Sequence, residues 1–190
     1  MGVLMRDTVF RFSKTTVVLH WLIGVSVIAM LGFGLYLGSL PRGADKLQLL
    51  GIHKSLGVVL LVLVLLRICW RVINGMPKNI SHAGRFVRGL AYTVHVLLLL
   101  GTVLMPASGV LMSLGSGTGL AVFGLEIVPF ARNTPGFVPN ETMIKLGGAT
   151  HFWGARLLIV AIALHAAGAL KHHFWDRDNT LRRMLGFSTQ

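Results

Sequence analysis

The chain has 190 residues, of which 54% are hydrophobic and only 13% charged, a balance that excludes an ordinary water-soluble globule. Eighteen Lys and Arg against six Asp and Glu give a formal net charge of +12; the basic residues mostly flank apolar stretches, so anionic headgroups and membrane orientation account for them and no nucleic acid is called for. A single cysteine, Cys69, excludes an internal disulfide, a Cys-based metal cluster and covalent attachment of haem through Cys-x-x-Cys-His.

The 27 residues between Lys14 and Arg42 contain no Asp, Glu, Lys or Arg, more than the ~20 apolar residues that carry a helix across a bilayer. The first span is expected at about residues 16–38, retained rather than cleaved because no Ala-x-Ala-like site follows it. Pro41, Gly43 and Asp45 mark a turn. A second span follows at about 49–72, with an uncharged centre of 12 residues between Lys54 and Arg67; ends that snorkel allow it to cross. A polar connector with Pro77, Lys78, His82, Arg85 and Arg88 leads to a third span at about 89–112, where Pro106 is expected to kink the exit. The connector 113–142 contains AVFGLEIVPF, an amphipathic piece suited to lying on the membrane surface. The fourth span is expected at about 146–173, followed by the polar tail DRDNTLRRML. The fold class is thus an all-α integral membrane protein, one domain with a four-helix transmembrane bundle.

Four spans put both termini on one side. That side carries twelve basic residues, Arg6, Arg11, Lys14, Arg67, Arg71, Lys78, Arg85, Arg88, Lys171, Arg177, Arg182 and Arg183. The other carries six, Arg42, Lys46, Lys54, Arg132, Lys145 and Arg156. The positive-inside rule makes the first side cytoplasmic.

Histidine inside a bilayer is costly and calls for a partner or a purpose. His20 opens span one, His53 opens span two, and His151 and His165 lie on span four. Fourteen residues on a helix fall about 40° short of four turns and rise about 21 Å, so His151 and His165 share a face, one near each membrane surface. His20 is then level with His165, and His53 with His151. Two imidazole pairs across the bundle suit two low-spin iron centres held by axial histidines, an electron wire of two non-covalent haems. A separation of about 21 Å along the helix keeps the four imidazoles from meeting at one metal.

Gly24 and Gly57 lie four residues beyond His20 and His53, where they either admit a flat macrocycle or serve general helix packing. His95 lies near the level of His20 and His165, as an alternative ligand to His20 or a packing contact. His172 repeats the face of His165 near the interface, where a propionate, a quinone or water would satisfy it; His173 is rotated away, and His82 is expected to be solvated. Arg67, on the face of His53 but at the other depth, would neutralise a propionate or snorkel to lipid. Arg156 would find its counter-charge in a propionate or in Glu141, and Trp21 and Trp175 fit interfacial belts.

The chain resembles the bacterial cytochrome b561 family of four-helix dihaem membrane cytochromes. The likeness rests on His20–Trp21, the His-x-x-x-Gly beginning at His53, Leu66–Arg67, the pair His151 and His165, and above all LHAAGALKHHFWDRDNTLRRM from Leu164 to Met184. It covers nearly the whole chain and implies two b-type haems, ligated by His20 with His165 and by His53 with His151. It further implies oxidation of superoxide at the periplasmic face, with Lys54 and Arg156 beside the outer haem, and delivery of electrons to ubiquinone near Lys171, His172 and Trp175. Positive charge speeds encounter with the superoxide anion. By the same resemblance the protein is a superoxide:ubiquinone oxidoreductase of the bacterial inner membrane; the alternative is a haem b subunit passing electrons from a dehydrogenase or hydrogenase-like partner to the quinone pool. Arg156 departs from the family pattern, which need not carry a charge there, and leaves the donor at the outer haem open.

Overall fold

The computed structural model describes residues 7–8, 11–75 and 84–188. Arg6, Lys78 and His82 of the sequence reading lie outside the described residues. Four helices long and apolar enough to cross a membrane dominate: α1 (Lys14–Ser39), α2 (Ala44–Asn74), α3 (Arg85–Ser116) and α4 (Glu141–Phe174). Two short strands, β1 (Leu120–Val122) and β2 (Leu125–Val128), lie between α3 and α4, and a five-residue helix α5 (Thr180–Met184) follows α4.

Local chemistry sets the helix ends. Ser13 caps α1, its hydroxyl accepting the Thr16 N–H at 3.2 Å. Asn140 caps α4 by accepting the Met143 N–H at 3.0 Å. Glu141 in the first turn of α4 and Lys171, His172 and His173 in its last turn suit the helix dipole. α3 stops where Gly117 turns left-handed at φ 64° and bonds back to Leu114 and Ser113.

Each helix runs beyond the apolar stretch that signals it; α1 and α4 start at the polar caps Ser13 and Asn140, and α2 and α3 at Gly43 and Gly84. The connector after span three is correspondingly shorter than expected from 113–142, since α3 continues to Ser116 and α4 begins at Glu141. Its amphipathic segment forms a β-hairpin. Val122 faces Leu125, and the two residues between them, Phe123 and Gly124, have φ of 50° and 90°. That is the left-handed pair a two-residue hairpin turn requires. Ser55 of α2 clamps the hairpin, accepting the Phe123 N–H at 3.1 Å while its Oγ lies 3.1 Å from the Ala121 carbonyl.

The bundle forms two layers. α1 packs on α2, and α3 on α4 along a long seam, with α2 touching α3; α1 and α4 make no comparable backbone approach. The α3–α4 seam is close because glycines line it: a Cβ on Gly147 would stand 2.9 Å from the Ser108 carbonyl oxygen, and one on Gly154 3.0 Å from Met105 Sδ. Where the layers meet at mid-depth, Ile23, Val27, Leu60, Val64 and Leu158 form the buried core. The many outward apolar side chains, Val18, Val25 and Val160 among them, are what a helix presents to lipid.

At the end that carries both termini, polar contacts tie the elements together. Asp7 pairs with Arg71 and accepts from the Ser13 N–H at 2.8 Å and the Thr16 hydroxyl at 3.1 Å. Burial works to raise the Asp7 pKa, but those bonds outweigh it and hold the carboxyl below its ordinary range. Arg183, only 2% exposed, donates to the Thr8 carbonyl at 2.9 Å and stacks on Phe12 with its guanidinium carbon 4.1 Å from the ring centre. The Trp21 indole, read from sequence as a belt residue, donates to the Met184 carbonyl at 2.8 Å and so anchors α5 on α1.

Candidate haem-binding sites

Two imidazole pairs bridge the helix layers, one toward each end of the bundle. His53 of α2 and His151 of α4 lie at the hairpin end with ring centres 6.2 Å apart and planes at 73°. His20 of α1 and His165 of α4 lie at the terminal end, 6.1 Å apart and at 62°. His95 of α3 also reaches the terminal end, with its ring centre 5.2 Å from that of His165.

These spacings test whether an iron fits. A metal-bound imidazole nitrogen lies about 2.0 Å from a first-row ion, and the ring centre stands about 1.1 Å behind the nitrogen, so two imidazoles gripping one ion from opposite sides would have centres roughly 6.2 Å apart. Both pairs match to within 0.1 Å. The His95–His165 distance falls about 1 Å short of that spacing, whereas the His20–His165 distance fits it. Among the described residues no group of three or more His, Cys, Asp or Glu is placed to hold a bare ion. Either imidazole pair would suit an ion whose remaining ligands come with it, as in haem.

The hairpin-end pair opens on a cavity of about 1100 Å³, somewhat larger than the ~300–1,000 Å³ of common ligand sites. Gly34 and Gly109 border its imidazoles: a Cβ there would approach His53 Cε1 to 3.5 Å and His151 Cε1 to 3.6 Å. Gly57 also lines the cavity, while a Cβ on Gly24 would meet nothing within 4 Å. His151 is oriented from behind, its Nδ1 lying 3.1 Å from the Met105 carbonyl and 3.0 Å from Ser108 Oγ. A carbonyl only accepts, so Nδ1 carries the proton and Nε2 keeps a free lone pair toward His53. His53 Nδ1 is buried without a hydrogen-bond partner among the described residues, and its ring rests edge-on against Phe33.

The charged residues fall into two groups. Lys54 and Arg156 both line the hairpin-end cavity; Lys54 donates to Thr118 Oγ1 at 2.9 Å, and Arg156 lies over the Phe152 ring, 3.3 Å from its centre. Glu141 is not the counter-charge of Arg156, because it lies one helical turn from Lys145 and pairs with it at 3.5 Å. At the terminal end Arg67 Nη2 lies 3.1 Å from His20 Nδ1. Lys171 binds Asp176 at 2.7 Å, and His172 Nδ1 sits between the Asp176 and Asp178 carboxylates at 3.0 and 2.9 Å. The Lys171 ammonium, through its hydrogen bond, holds the Asp176 carboxyl below its ordinary pKa. Trp175 is 85% exposed.

Sequence reasoning missed Met105, Ser108, Gly34, Gly109 and the two aspartates. The four-residue step from His172 to Asp176 was a usable signal; for the others the partner lies on another helix and no spacing announces it.

The family model of prokaryotic cytochrome b561 matches residues 11–187. The chain belongs to that family. It is 33% identical to cytochrome b561 homolog 2 of Escherichia coli K12 over 189 residues, covering 96% of this chain and 95% of that one. It is 27% identical to cytochrome b561 homolog 1 of the same organism, covering 92% and 97%. To the probable superoxide oxidase CybB of Yersinia pestis it is 29% identical, covering 92% and 96%. Membership in a cytochrome family carries haem-binding capacity and a general electron-transfer role, and the four apolar helices make the chain a multi-pass membrane protein.

Proposed function

We propose that this chain is a dihaem b-type cytochrome of the bacterial inner membrane that takes electrons from superoxide at its hairpin end and delivers them to ubiquinone at its terminal end. The observation that carries the reading is the pair of imidazole spacings, 6.1 and 6.2 Å, set one toward each end of α4. His20 and His165 would hold one haem and His53 and His151 the other. Haem supplies reversible one-electron chemistry when bound.

The protein's own part is positional. Met105 and Ser108 fix the ring of His151. Leu158, midway between His151 and His165 on α4 and 2% exposed, belongs to an apolar core that keeps water from the path between the two sites. Lys54 and Arg156 on the hairpin-end cavity draw an anion by field rather than by contact. Superoxide loses one electron and leaves as dioxygen. Two such events, with two protons, convert ubiquinone to ubiquinol. His172, Lys171 and Trp175 stand at the terminal end as the neighbours of the quinone, with the Asp176 and Asp178 carboxylates 3.0 and 2.9 Å from His172 Nδ1. The preponderance of basic residues at the terminal end, with Arg67, Arg71, Arg85, Arg88, Lys171, Arg177, Arg182 and Arg183, supports placing both termini in the cytoplasm.

The first test is haem per polypeptide on detergent-purified chain, read with its reduced-minus-oxidised spectrum; two b-type haems are expected, and one or none overturns the pairing. Superoxide consumption driven by ubiquinone, measured with the purified chain alone in liposomes, then tests the donor. Quinone reduction that needs a second polypeptide would instead make the chain the haem subunit of a dehydrogenase or hydrogenase-like complex.

A further inference from the structure

We infer that Arg67 latches His20 in a ring form that cannot bind a metal, so that the terminal-end site is completed second, after the hairpin-end site. The inference rests on the dihaem reading and concerns how its two sites assemble. A guanidinium only donates hydrogen bonds and stays charged, so at 3.1 Å from Arg67 Nη2 the Nδ1 of His20 is the acceptor. A neutral imidazole carries one N–H, which then sits on Nε2. Neither nitrogen of His20 has a lone pair to offer while Arg67 holds it.

The hairpin end is in the opposite condition. His151 Nδ1 donates to a carbonyl, leaving Nε2 free, and His53 Nδ1 has no hydrogen-bond partner among the described residues to constrain its ring. One site stands ready and the other is closed by a hydrogen bond.

The charge of Arg67 says what opens it. Arg71, one turn further along α2, is matched by Asp7, but no carboxylate among the described residues lies within ion-pair distance of Arg67. Asp176 is engaged by Lys171, and Glu141 by Lys145 near the other end. A guanidinium at this depth without a counter-ion is costly. An incoming ligand with carboxylate arms gives it one, and the move from His20 Nδ1 to a carboxylate frees the imidazole at the moment the metal arrives. Arg67 is therefore a positioning residue whose two partners exclude each other.

The test is the order of loading in the full chain, produced under graded haem supply and analysed by redox titration. His20→Ala and His53→Ala, each retaining one site, identify the two components. Below one haem per chain the unmutated protein should show mainly the component found in His20→Ala, by about tenfold or more, the size of effect a ligand's outer hydrogen bond has on metal affinity. Arg67→Met should fill both sites in parallel, and should lower the potential of the terminal-end component alone because a positive charge beside it is gone. Parallel filling of both sites in the unmutated protein overturns the latch while leaving the dihaem reading intact, and this arm needs no Arg67 variant to fold. An Arg67→Met chain that still fills the hairpin end first also overturns it. A chain that takes up no haem at any supply overturns both.

Discussion

Replacing Gly147 by alanine separates α3 from α4 at the point where α3 positions the hairpin-end imidazole. The added Cβ would lie 2.9 Å from the Ser108 carbonyl oxygen and 2.8 Å from Met112 Cγ. Met112 can rotate away, but the Ser108 carbonyl belongs to the helix backbone. Carbon and carbonyl oxygen settle at about 3.3 Å or more, so the two backbones must part by roughly 0.4 Å. Overpacking of this kind costs about 1–3 kcal/mol. The displacement falls on the Ser108 and Met105 segment that orients His151 through contacts of 3.0 and 3.1 Å, so haem at that end should be held less tightly while the other end is spared. Gly148→Ala is the control, since a Cβ there meets nothing within 4 Å. The assay is haem per chain by redox titration, together with the thermal midpoint in detergent, for both variants. Gly147→Ala should lower the midpoint and deplete the component that survives in His20→Ala. Equal midpoints and equal haem content for the two alanine variants would refute the reasoning.

Other expectations follow from individual contacts. His53→Ala and His20→Ala should each lower haem content from two to one per chain and remove different components of the redox titration; loss of both haems in either variant would mean the sites are not independent. Because the Asp7 carboxyl is held below its ordinary pKa in the folded chain, its contribution is fully present above the unfolded value of about 3.9 and is lost as pH falls through the folded one. Asp7→Asn should lower the thermal midpoint at pH 7, at a cost of about 1–3 kcal/mol for charged hydrogen bonds lost, and should flatten the acid limb; an unchanged acid limb would count against the Asp7–Arg71 clasp. Ser55→Ala removes the hydroxyl that accepts the Phe123 N–H, so amide exchange over residues 120–128 should accelerate by about fivefold, as one hydrogen bond of ~1 kcal/mol implies, with exchange in α4 unchanged.

How far the sequence reached depends on the kind of coordinate in question. Depth along a helix is one-dimensional and follows from the rise per residue. That His20 stands beside His165 and His53 beside His151 was therefore legible from position alone, and so were the apolar lengths of the spans. Azimuth and rotamer depend on how helices cross. Only the packed layers decided that the His95 ring stands 5.2 Å from that of His165, that Gly34 and Gly109 border the imidazoles, and that Arg67 reaches His20. The sequence marked AVFGLEIVPF as amphipathic without a secondary structure, because it alternates too briefly to announce a strand pair. The left-handed turn at Phe123 and Gly124 and the clamp from Ser55 decided it. Composition and spacing thus determined that this chain crosses the membrane four times with imidazoles at two levels. Tertiary structure decided what each imidazole touches, because a side chain's neighbours come from other helices whose distance and rotation no single segment encodes.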